Sequence, residues 1–233
     1  MKNLYFLGLI FLCLTSNSLY SYQVDSLRLT WENEELTDSL RFGALDEYHE
    51  LFALVLPEST LIALDYYHDL AISKGADRQV YRSAVRIGNI LRLQNRIEEA
   101  RKHYYEALIV AKKLNNARLE AIIIGNFGNL HFDQGEYFEC IKKYNKAKKM
   151  FSDEADKAGE ARILNGIGAV NFKIGNNDIA LVHYEEALNI YKELDANNES
   201  YPNLNKTTIL MNIGLIHFKN DLFIKAESSF LEA

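Results

Sequence analysis

From Ala84 onward the apolar and polar positions recur in one register. Three stretches can be written under one another, Ala84 to Leu108, Ile124 to Lys148 and Leu164 to Leu188, and a fourth opens at Leu210. Gly88, Gly128, Gly168 and Gly214 share a column. Twelve residues after each comes Ala100, Cys140, Ala180 or Ala226; four further on stands Tyr104, Tyr144, Tyr184 or Phe230; three beyond that, Ala107, Ala147, Ala187 or Ala233. Positions three and four apart fall on one face of a helix, so this spacing predicts helices that carry two small residues and an aromatic ring along one face. Only 2 prolines and 12 glycines punctuate 233 residues. That is too few for a fold of many short turned strands, and the expected class is all-α.

Four copies with four shared columns resemble the tetratricopeptide repeat (TPR), a helix-turn-helix unit, over residues 78–233. The resemblance implies a right-handed α-solenoid of four TPR units, the last incomplete. The column glycines step by 40, 40 and 46 residues, not the 34 of the common repeat, which places extra residues after the second helix. The pattern is similar to the longer subclass of kinesin light chains and bacterial peptide-sensing regulators. Departures accompany it: the family's tryptophan column holds Ala84, Ile124, Leu164 and Leu210, the later tyrosine column holds Leu91, His131, Asn171 and His217, and the closing proline is missing. The 46-residue step inserts Asp195 to Lys206, rich in Asn and Ser with Pro202, and predicts an exposed loop.

Upstream, Ser39 to Leu56 and Ser59 to Ser73 read as two helices broken at Pro57, a degenerate repeat or helical cap. Gln23 to Leu36, with Trp31, shows no clear period and reads as a partly ordered, acidic lead-in, so residues 22–77 form one leading region. Residues 1–21 have the order of a secretory signal: Lys2, an apolar run from Leu4 to Leu14, then Thr15, Ser16, Asn17 and Ser18. Export to a periplasm or the outside is the expected localisation. The apolar run is 11 residues, short of the roughly 20 that span a bilayer. Cys13 follows bulky Phe11 and Leu12 and reads as part of the apolar signal core. At the other end, the last helix opens near Leu222 and stops at Ala233 on the second small column. A fragment of a longer chain is the expectation there.

Two cysteines support neither a disulfide framework nor a four-ligand zinc site. A net charge of −6, from 26 basic and 32 acidic residues, gives no electrostatic ground for nucleic acid as partner. The charge is uneven. Gln23 to Leu70 carries 11 acids and 2 bases, net −9, and Ala71 to Leu119 carries 4 acids and 11 bases, net +7.

No HExxH, phosphate loop or GxSxG motif occurs, so the chain is not expected to be an enzyme or to need a cofactor or metal. His49, His68, His103, His131, His183 and His217 are scattered among the helices, and the paired acids Glu98/Glu99 and Glu185/Glu186 read as solvated faces. In repeats of this kind the first helices line a concave groove. The resemblance therefore points, at fixed offsets from the column glycine, to Arg82, Arg86, Asn89, Arg92, Asn126, Asn129, Arg162, Asn165 and Asn212 as a peptide-binding track, with Phe132, Phe172 and Phe218 in a row beside it. Asparagine offers a donor and an acceptor to an extended backbone, and arginine offers a fork to a carboxylate. The expected partner is a protein or extended peptide, acidic or presenting a C-terminal carboxylate. Two structural readings stand beside this one: the basic repeat packs on the acidic cap, and the phenylalanine row belongs to the inter-helix core. Function divides the same way, between an exported scaffold that binds peptide or protein in its groove and the sensory N-terminal region of a membrane-anchored histidine kinase or transcription regulator whose anchor lies downstream.

Overall fold

The computed structural model describes residues 22–197 and 204–233, and every regular element among them is an α-helix. Two compact units divide at Arg96 and Ile97. The signal-like residues 1–21 lie outside the described residues.

The first unit holds α1 (22–32), α2 (Asp38–Phe52), α3 (Pro57–Ser73) and α4 (Asp77–Leu93). The segment read as a lead-in is thus helical through residue 32. Its period is invisible in the sequence because only Leu27 and Trp31, one turn apart, are buried. Trp31 stands edge-on to Tyr48 with ring centres 5.0 Å apart, and the buried Arg41 donates to the Trp31 carbonyl at 2.9 Å, satisfying the free end of α1. Helix α2 stops at Phe52, four residues earlier than the pattern suggested. Phe52 is its last core residue, and Leu54 and Val55 are exposed, so no packed face extends further. Pro57 opens α3 at its first position, where a missing N–H costs nothing.

The second unit holds α5 (Ile97–Lys113), α6 (Ala117–Asp133), α7 (Tyr137–Asp153), α8 (Lys157–Lys173), α9 (Asn177–Ala196), α10 (Leu204–Lys219) and α11 (Phe223–Glu232). Each helix packs on the next, and the first helices of successive pairs also touch, α6 on α8 and α8 on α10. Helices α3 to α8 are all 17 residues long. Two such helices and two three-residue turns fill the 40-residue period, so within it neither helix of a pair is longer than the other. The turns are built alike. A left-handed residue stands at Asn115, Gly135, Ala155 and Gly175, and at Gly135 the next amide, Glu136 N–H, reaches back to the His131 carbonyl at 2.8 Å in a Schellman closure.

The glycine column has a steric cause. A Cβ at Gly128 would lie 2.6 Å from the Tyr144 ring, one at Gly168 2.6 Å from Tyr184, and one at Gly214 2.5 Å from Phe230. Each glycine makes room for the aromatic residue sixteen positions later on the partner helix. Around these rings the small columns are sealed: Cys140, Ala147, Ala180 and Ala187 are all fully buried.

The predicted insertion loop is shorter than Asp195 to Lys206. Helix α9 continues to Ala196 because Tyr191 and Leu194 still pack in the core with Ile209 and Ile213 of α10. Lys206 pairs with Asp195 across the gap at 3.0 Å.

Candidate functional site

The residues expected to face a peptide fall in both units, and each set has its own surroundings. In the first unit Arg82, Arg86, Asn89 and Arg92 lie on α4. Arg82 Nη1 meets Asp46 Oδ2 at 2.6 Å, and Arg86 donates to the other oxygen of the same carboxylate. Lys74 pairs with Asp38 at 3.1 Å. The acidic cap and the basic repeat therefore neutralise each other at α2 and α4, and the forks of Arg82 and Arg86 are spent inside the chain. Arg86, with a side chain only 16% exposed, is the more committed of the two. Asp46 was not singled out in the sequence, although the acid excess of 23–70 carried the signal.

His49, one turn beyond Asp46 on α2, responds to this cluster. Burial and then the positive charge of Arg86 lower its pKa to about 4, against a smaller opposing pull from Asp46. Its Nδ1 is buried without a hydrogen-bond partner. The ring is neutral at pH 7.

In the second unit Asn126 and Asn129 lie on α6, Arg162 and Asn165 on α8, and Asn212 on α10. All four asparagines are half-buried and Arg162 is exposed. Asn212 Nδ2 donates to Asn165 Oδ1 at 3.5 Å, which brings two members of the track together where α8 meets α10. Asn129 does structural work: its Oδ1 accepts the Tyr144 hydroxyl at 2.6 Å and its Nδ2 donates to Asn126 at 3.5 Å. The guanidinium of Arg162 lies over the Phe151 ring, 5.4 Å from its centre.

The phenylalanine row closes hairpins. Phe132 is edge-on to Tyr137 and packs against the core of its own repeat; Phe218 stands likewise against Phe223. Phe172 packs on the core and carries Lys219 Nζ over its ring at 5.6 Å. These rings belong to the ends of helix pairs.

Two further groups escaped the sequence. Asp156 caps α8 through the Gly159 amide at 2.9 Å and holds Arg118 at 2.5 Å, tying the α6 end to the next repeat. Tyr144 fixes Asn129. Its signal was the coincidence, in one repeat, of a column tyrosine with an asparagine directly after the column glycine.

Family models described as tetratricopeptide repeat match residues 82–118 and 119–193. The uncharacterized protein ycf37 of Guillardia theta is 26% identical over 123 residues, 53% of this chain, and the chain spans 62% of that curated relative's length. Among solved structures, BtubC (BKLC) from P. vanneervenii is similar with a TM-score of 0.56 at 16% identity, over 90% of this chain and 87% of that one. A Rap protein complexed with competence and sporulation factor gives 0.58 at 14% identity, over 93% and 71%. Kinesin light chain-like repeats from Podospora anserina give 0.50 at 8% identity, over 92% of each chain. At such identities the structures share the fold alone. With repeat models matching residues 82–193 without a break, a fixed 40-residue helix-pair period and this fold, residues 82–193 are tetratricopeptide repeats.

Proposed function

We propose that the chain is an exported scaffold that holds an extended peptide or protein segment against the first helices of its repeats. The observation that carries this reading is the state of Asn126, Asn165 and Asn212. They are half-buried on helices that touch side by side, and the Nδ2 groups of Asn126 and Asn165 make no hydrogen bond among the described residues. An amide with an unspent donor can pair with a peptide carbonyl without demanding a particular side chain. The shared fold of a Rap protein that was crystallised with competence and sporulation factor lends the reading support. Arg162 is exposed with its guanidinium over Phe151, and at Arg82 and Arg86 a ligand carboxylate would compete with Asp46. Export rests on the leader-like order of residues 1–21. Among the described residues no helix is long and apolar enough to cross a membrane.

Peptide-display selection on the whole chain tests the groove. Peptides enriched on the parent should lose about tenfold or more affinity for Asn126→Ala/Asn165→Ala/Asn212→Ala, since each lost neutral hydrogen bond is worth about 0.5–1.5 kcal/mol. Undiminished affinity for the triple variant overturns the reading. A reporter active only outside the cytoplasm, fused behind residues 1–40, tests export.

A further inference from the structure

A separate cavity lies on the other side of α6. The track asparagines Asn126 and Asn129 are out of phase, at 3.6 residues per turn, with a stripe formed by Glu120, Ile124, Phe127 and His131. That stripe is the floor of a cavity of ≈ 190 Å³ whose walls come from α5 and α7. Ile124 and Phe127 are buried beneath it. Tyr105 of α5 lies against Phe127, ring centres 4.8 Å apart, yet remains 54% exposed. The rim is basic: Arg101 and Lys112 on α5 face Lys143 and Lys146 on α7. Arg101 is tethered to Glu98 at 3.5 Å and Gln134 at 3.1 Å, but Lys112, Lys143 and Lys146 make no ion pair among the described residues. One acid, Glu120, stands on the floor against four cations.

The repeat itself supplies the control. One period later the positions of Tyr105, Lys112, Lys143 and Lys146 are taken by Asn145, Ser152, His183 and Glu186. The packing columns are kept there while the ring and the three lysines are all lost. Column packing therefore does not require them at α5 and α7, in a protein that is acidic overall. Apolar Ile124 and Phe127 at the centre of the floor, under a rim on which Lys112, Lys143 and Lys146 have no acidic partner among the described residues, suit a ligand with the opposite arrangement. A cavity of about 150 Å³ can hold a benzene molecule, so the space takes one phenyl-sized group.

We propose that this trough docks an acidic peptide segment of a partner protein, with one aromatic or large aliphatic side chain seated on Tyr105 and Phe127 and flanking carboxylates paired to Lys112, Lys143 and Lys146. The trough is separate from the asparagine track and can be occupied independently of it.

The probe is a fluorescein-labelled dodecapeptide of Asp and Glu with a single central Phe, followed by fluorescence anisotropy with the full chain. Lys143→Glu/Lys146→Glu should weaken binding about tenfold or more. The same charge change outside the cavity, Lys142→Glu/Lys149→Glu, should cost no more than about threefold through screened long-range attraction. Replacing the peptide's Phe with Ala should cost about tenfold. Asn126→Ala/Asn165→Ala/Asn212→Ala should leave this binding unchanged, which separates the trough from the groove. The proposal is overturned if the parent does not bind the probe, if both lysine pairs weaken it equally, if the Phe is dispensable, or if a thymidine 12-mer binds more tightly than the peptide.

Discussion

The hydroxyl of Tyr144 donates to Asn129 Oδ1 at 2.6 Å, closing a polar contact between the two helices of one repeat. In the following repeat the same two columns hold Tyr184 and Ala169. The Tyr184 hydroxyl is buried with no hydrogen-bond partner, and burial raises its pKa. One alanine thus leaves an orphaned polar group in the core.

Restoring the asparagine should repair it. Ala169→Asn is expected to stabilise the protein by about 1 kcal/mol, and Tyr184→Phe to be neutral or stabilising, whereas Tyr144→Phe should destabilise by about 1 kcal/mol. Urea denaturation of the three variants checks the signs. Equal effects of the two Tyr→Phe changes would show that the Asn129 contact contributes nothing.

The glycine column gives a second contrast. Gly128→Ala should destabilise by about 1–3 kcal/mol, because the added methyl meets the Tyr144 ring. Gly43→Ala, within α2 and with nothing inside 4 Å of the added methyl, should stabilise by about 0.5–1 kcal/mol through helix propensity. Thermal melts of both variants measure opposite shifts if the column exists to seat a ring.

Those contacts also show what the sequence made legible. The four glycine, small and aromatic columns were readable because packing of paired helices repeats them at a fixed spacing, and the class and pairing followed. Helix α1 was not readable, since Leu27 and Trp31 alone are too few to display a period. The equal 17-residue helices were hidden because the closing turns accept Gly135 and Gly175 but also Asn115 and Ala155, so no single residue type marks them. In the candidate site, the excess of acid before Leu70 and base after it foretold pairing of cap and repeat, but not that Asp46 alone would take both Arg82 and Arg86. The role of Asn129 needed a distance. An asparagine beside the column glycine looks the same in sequence whether it faces a ligand or a tyrosine.

Acid should loosen the first unit. Because His49 has a folded pKa of about 4, below its ordinary 6.5, the unfolded chain takes up its proton first. The contribution of His49 is fully present above about pH 6.5 and is lost as the pH falls from there to about 4. It amounts to roughly 3 kcal/mol over that window. Chemical denaturation at pH 7 and pH 4.5 should show a smaller loss for His49→Gln than for the parent; an identical loss would remove His49 from the acid response.

Cys140 is fully enclosed on its small column, and burial pushes its thiol up to about 11. It should react with a thiol reagent at pH 7.5 only after unfolding, with the native rate rising steeply in denaturant. Rapid labelling without denaturant would contradict the packing of α7.

The most direct measurement of the peptide-groove reading is made on the asparagine side chains themselves. Side-chain amide resonances of Asn126, Asn165 and Asn212, assigned by single substitution and followed in ¹⁵N-labelled protein as a display-selected peptide is titrated in, should shift together and saturate at one dissociation constant. Peptide binding that leaves all three unmoved while amides elsewhere shift would contradict a groove on the first helices.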